Sequence, residues 1–160
     1  MKDLSESAQK RKASFDLARF MPYRLAVLAD DLSATIAQVY VDRFNLTRDE
    51  WRILAWLGNH GDMRAKDIGA NAALDKMQMS RALARLGEKK LLSVKRDPQD
   101  RRGNVLHLTR QGLALFETIA PLALAREDYL LATLTGAEVK ALDAIVTKLR
   151  HRAISLKARR

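Results

Sequence analysis

The chain has 160 residues, a formal net charge of +10 and no cysteine, with 48% apolar and 30% charged residues. That length fits one domain, and the lack of thiols excludes disulfide scaffolds, thiolate zinc sites, iron–sulfur clusters and cysteine nucleophiles or redox sensors. Residues 1–12 are too polar for a secretory signal and no run reaches the roughly 18–20 apolar residues of a membrane span, so the expectation is a cytoplasmic protein with no membrane partner.

In chain order, residues 1–13 are expected to form a flexible basic arm. Leu25, Leu28, Leu32, Ile36 and Val39 recur at three- and four-residue steps and predict an amphipathic helix over about 22–43. Pro22 either starts that helix or kinks one beginning near Ser14, since proline fits a first turn but not an interior. Thr47 with Glu50 reads as a capping box. It opens a helix that carries Trp51, Leu54 and Leu57 and ends between Gly58 and Gly61. A short helix over about 65–70 and a longer one over 75–90 follow. Residues 93–96 and 105–108 look extended, and the charged run between them, with Pro98 and Gly103, reads as a hairpin tip. Thr109 caps a helix over about 110–133 that Pro121 should bend. Thr135 opens a last helix with Val139, Leu142, Ile145, Val146 and Leu149.

The positive charge is concentrated. Residues 64–110 carry twelve basic and five acidic side chains, whereas 15–63 and 111–147 are slightly acidic. Residues 148–160 add six basic groups and no acid. A basic block between acidic helical segments suits a polyanion. Within it, Met79, Leu83 and Leu86 share one face of the longer helix. Gln78, Arg81 and Arg85 project from the other side, with Lys76 at the amino end. The major groove of B-DNA admits one α-helix, and polar side chains near its amino end reach base edges, Gln to adenine and Arg to guanine. Any exposed helix has polar residues outward, so the hairpin decides. Arg96, Arg101 and Arg102 crowd one turn with Asp100 close enough to orient an arginine. A thin basic hairpin suits phosphates and a narrow minor groove. Short helix, tight connection, second helix and basic hairpin make a winged helix-turn-helix. Arg64 and Lys66, which open the basic block, and Asn104 at the hairpin join the candidate DNA contacts.

The stretch Lys95-Arg96-Asp97-Pro98-Gln99-Asp100-Arg101-Arg102-Gly103-Asn104, then His107-Leu108-Thr109-Arg110-Gln111-Gly112, resembles the wing signature of the MarR family of bacterial transcriptional regulators. Asp75-Lys76 through Ser80-Arg81 to Leu86, and Leu46-Thr47, match as well. The resemblance implies a mainly α (α+β) fold: a winged helix-turn-helix lobe over 46–109 with a two-stranded β-wing, and a helical dimerisation region over 14–45 and 110–160. It also implies an obligate homodimer. Arg102 then corresponds to the wing-tip arginine of the minor groove, Asp100 to the acid that holds it, and Ser80 and Arg81 to the groove-facing helix. Leu17, Phe20, Leu142, Ile145 and Leu149 are the expected dimer contacts. Family members commonly respond to small aromatic or anionic ligands where the dimer helices meet the lobe, which makes Tyr23, Arg24, Trp51 and Arg52 candidate effector-pocket residues. Two departures stand out. Lys90 occupies the place of the family's glycine after the recognition helix, and Gly87 lies inside that helix.

The expectation is a homodimeric repressor on a pseudo-palindromic operator, relieved by a small organic effector. The rival is a structural protein coating nucleic acid non-specifically, with no effector; a module docking its amphipathic helices on a protein is a third reading. No phosphate loop, nucleophile elbow or His-Glu-x-x-His pattern occurs. His60, His107 and His151 lack metal spacing. No enzyme activity, cofactor or metal is expected.

Overall fold

The structure, a computed structural model, describes residues 15–96 and 104–157. The expected amino-terminal arm, and the hairpin tip with Asp100, Arg101 and Arg102, lie outside the described residues. A short 3-10 turn, Leu17–Arg19, precedes α1, Met21–Phe44. Pro22 sits in the first turn of α1, where its missing N–H is no loss, so it starts the helix rather than kinking it. Asn45 ends α1 in the left-handed conformation, with φ 50°.

The next helix, α2 (Arg48–His60), opens on the capping box foreseen in the sequence: Glu50 N–H donates to Thr47 Oγ1, and Thr47 N–H to the Glu50 carboxylate. Strand β1 (Met63–Arg64), helix α3 (Ala65–Asn71) and helix α4 (Lys76–Glu88) follow. Strands β2 (Leu92–Arg96) and β3 (Asn104–Leu108) pair antiparallel, Leu92 opposite Leu108 and Arg96 opposite Asn104. Helices α5 (Arg110–Leu131) and α6 (Gly136–Lys157) complete the chain. α5 runs on through Pro121, which lies on its exposed side.

The expected two-stranded wing is in fact part of a three-stranded sheet, ordered β1-β3-β2. Met63 and Arg64 pair with Leu106 and Val105, which ties the wing to the start of α3. The core lies in this lobe. Ile53, Leu54 and Leu57 of α2 meet Ile68 of α3 and Met79, Ala82 and Leu86 of α4, with Leu91, Leu92 and Leu106 from the sheet. Tyr40 and Leu46 close it from the α1 side and Ile119 from α5. Each such side chain contributes about 1.5–3 kcal/mol when fully buried. α5 reaches the lobe through Gly112, which packs directly on the Leu91 backbone. The distribution of burial is lopsided. No residue of α6 is buried, and the first ten residues of α1 are all exposed.

Candidate nucleic-acid interface

Helices α3 and α4 form the helix-turn-helix. Ala72 and Leu74 of the connection are buried, and the tight reversal is made by Ala73 in the left-handed region at φ 53°. Asp75 caps α4: its carboxylate accepts from the backbone N–H of Met77 and Gln78 at 2.8 and 2.7 Å. Gln78 answers by accepting from Asp75 N–H at 2.9 Å, so both members of a capping box are present. Gln78, expected to face a base edge, therefore turns its carbonyl oxygen back to the helix start. Its side-chain N–H groups are not used by that bond.

The buried stripe of α4 is Met79, Ala82 and Leu86, with Leu83 half-buried. Opposite it, Lys76, Met77, Ser80, Arg81, Ala84 and Arg85 are exposed. Lys66, Lys76 and Ser80 come together around one cleft of about 460 Å³ between α3 and α4, with Leu74, Met79 and Leu83 among its lining. Arg81 extends back along the helix to the sulfur of Met77. Arg85 is only partly outward: its Nε lies 3.9 Å from the Glu50 carboxylate, so the structure gives it an intramolecular partner as well as a solvent face. Arg64 lies on β1, half-buried, not on the open face of α4.

At the wing, Lys95 and Arg96 are exposed on β2, and Asn104 faces Arg96 across the ladder. Ser93 and His107 pair across the strands and hydrogen-bond through Oγ and Nε2, which makes His107 a wing packing residue. Lys90 does occupy the left-handed position after α4, at φ 57°. Its carbonyl accepts from the Thr109 hydroxyl at 2.8 Å, fixing the entry to α5.

The expected effector residues divide. Trp51 and Arg52 line a cleft of about 220 Å³ between α1 and α2 together with Leu32, Ser33, Ile36, Tyr40 and Arg48. Tyr23 and Arg24 do not: they lie on the exposed first turn of α1, more than two helical turns from Leu32. Arg48 was missed, although its position one helical turn before Arg52 places both on one face. Trp51 is stacked between Tyr40 and Phe116, at centroid distances of 5.6 and 6.2 Å. Burial pushes the Tyr40 phenol above its usual range, opposed by the positive charges of Arg52 and Arg48. Arg52 also donates to the Ala72 carbonyl in the α3–α4 turn at 3.3 Å, so one side chain touches both cleft and helix-turn-helix. Among the described residues, no group of three or more His, Asp or Glu side chains is placed to hold a metal. No helix among them is long and apolar enough to cross a membrane.

The group that sequence reasoning passed over is Glu50. Read only as a cap, it is fully buried, and Lys89 reaches it with an Nζ–Oε2 distance of 3.0 Å. The one signal was its place directly before a run of core residues.

Comparison with known proteins agrees with this geometry. The model of the MarR family matches residues 46–103, from just before α2 to the residue preceding β3. The HTH-type transcriptional regulator MhqR of Bacillus subtilis (strain 168) is 28% identical over 101 residues, covering 63% of this chain and 70% of that protein. A MarR/EmrR family transcriptional regulator from Acinetobacter sp. ADP1 superposes with a TM-score of 0.80 at 29% identity, covering 88% of this chain and 99% of that one. BpsR of Bordetella bronchiseptica, whose DNA binding is regulated by 6-hydroxynicotinic acid, superposes with a TM-score of 0.72 at 28% identity, over 81% of this chain and 98% of that one. With a helix-turn-helix, a wing and these relatives, the chain carries a MarR family domain at residues 46–103 and is similar to DNA-binding transcriptional regulators of that family.

Proposed function

We propose that the chain acts as a homodimeric repressor on a pseudo-palindromic operator and is released by a small aromatic anion. The observation that carries the dimer is uncovered apolar surface. Leu142, Ile145, Val146 and Leu149 of α6 and Leu17, Phe20, Leu25 and Leu28 at the other end of the chain are all exposed. Contiguous exposed apolar side chains on this scale mark an interaction surface. Two protomers joined there would present two α4 helices to half-sites about 34–36 Å apart.

On this reading Lys76, Gln78 through its free N–H groups, Ser80 and Arg81 face base edges. Lys66, Arg64, Arg85, Arg96 and Asn104 contribute to the phosphate-binding surface with Arg101. Arg102, oriented by Asp100, enters the minor groove. The basic block supplies most of the affinity and makes it strongly salt-dependent.

The effector site is the cleft between α1 and α2. Trp51 and Tyr40 offer aromatic walls, and the guanidinium groups of Arg48 and Arg52 suit a carboxylate. That BpsR answers to an aromatic hydroxy acid supports the choice of ligand class. Tyr23 and Arg24 could then serve only if the second protomer brings its own amino-terminal helix to the cleft. The test is a mobility-shift titration on the intergenic DNA beside the gene. Arg102→Ala should lose about 1–3 kcal/mol of binding, roughly five- to 150-fold, with the dimer intact; unchanged affinity would contradict the assignment.

A further inference from the structure

Three helix ends meet at one charge pair. Glu50 is the third residue of α2 and fully buried. Lys89 is the carboxyl-terminal cap of α4. Its ammonium donates to Glu50 at 3.0 Å and to the carbonyl of Asn45, the left-handed cap of α1, at 2.6 Å. The carboxylate sits at a helix amino end and the ammonium at two helix carboxyl ends, the arrangement that helix dipoles favour. The same carboxylate holds Thr47 N–H at 2.7 Å, so the capping box and the charge pair share one group.

A pair of this kind, with Glu50 buried and Lys89 half-buried, adds little net stability over apolar side chains of the same shape, but its bonds are directional. Arg85 of α4 also brings its Nε to 3.9 Å from the same carboxylate, and the rest of the contact, through Met79, Ala82 and Leu86, is apolar and non-directional. We propose that Lys89 is a positioning residue for DNA binding: held between Asn45 and Glu50, it locks α4 to the α1–α2 joint, so that any movement of the joint carries α4 with it. Tyr40 and Trp51, which flank the joint in sequence, also line the α1–α2 cleft, so the two lie on the same pair of helices. The inference rests on α4 being the helix that faces DNA.

The chain has no cysteine, so introduced thiols are the only labelling sites. Gln38→Cys on α1 and Ala84→Cys on α4, both exposed, carry nitroxides in labelled protein diluted with unlabelled chain, and pulsed electron–electron resonance reads the distance between the helices. Lys89→Met alone leaves the buried Glu50 carboxylate with only the Thr47 N–H and the more distant Arg85 guanidinium, and risks unfolding. The deciding variant is therefore Glu50→Gln with Lys89→Met, which buries no charge, and Lys89→Arg is the conservative control. The double variant is expected to melt cooperatively, with a distance distribution at least twice as wide and about tenfold weaker binding to the intergenic DNA. Lys89→Arg is expected to keep the narrow distribution. A double variant as narrow as the parent, or a Lys89→Arg variant as wide as the double, overturns the proposal. Failure of the DNA-facing reading would show separately, as a parent protein that binds no DNA while its labels still report a narrow distance.

Discussion

Lys90 is a non-glycine residue held at φ 57°. Such a conformation costs about 1–2 kcal/mol because Cβ crowds the carbonyl oxygen. The two backbone bonds at this position, from Lys90 N–H to Gly87 and from the Thr109 hydroxyl to the Lys90 carbonyl, survive loss of the side chain. Lys90→Gly should therefore stabilise the protein by about 1 kcal/mol, raising Tm by about 2–4 °C. A calorimetric scan showing a lower Tm would mean that the lysine side chain makes up for its own strain. The need for a left-handed residue here was legible because the family pattern places glycine at this point. Glu50 was not legible in the same way. A capping glutamate is ordinarily exposed, and only the approach of Lys89, 39 residues later in the chain, makes it a buried ion.

Among the elements, helix starts were the most readable features, since Thr47 and Thr109 each announce a cap in local chemistry, while Asp75, expected as the first residue of α4, turns out to be its cap. Their ends were less so: α4 stops at Glu88 and α5 at Leu131, each two residues before the expected point. Strand β1 escaped notice because two residues, Met63 and Arg64, show no alternation; its existence depends on pairing with Leu106 and Val105 of β3, far along the chain. The docking of α5 on the lobe was equally hidden. A Cβ at Gly112 would fall inside contact distance of the Leu91 carbonyl oxygen, a backbone atom that also accepts from Thr109 N–H at 3.1 Å. Gly112→Ala is expected to destabilise the fold by about 1–3 kcal/mol through forced displacement of α5. Urea unfolding with an unchanged midpoint would show that α5 can shift without loss.

For the whole molecule, the apolar faces predicted along the first and last helices are legible in periodicity, but which surface covers them is not, because in the proposed dimer that information would lie in a second chain. The same limit explains the effector residues. Trp51 and Arg52 fall together because one helix carries both, while Tyr23 and Arg24 lie too far along α1 to reach them within one protomer. Ile145→Asp places a charge in the middle of the exposed stripe of α6, where burial against a partner would desolvate it. Light scattering should then give a monomer at micromolar concentration in place of the parent dimer. A dimer of undiminished stability would move the interface elsewhere.

On the proposed function, two copies of α4 and its wing read DNA as a pair. Hydroxyl-radical footprinting on the intergenic DNA beside the gene should then show two protected half-sites about 10–10.5 base pairs apart, centre to centre, that persist against excess random-sequence competitor. Uniform protection that the competitor abolishes would contradict it and would indicate sequence-independent coating instead.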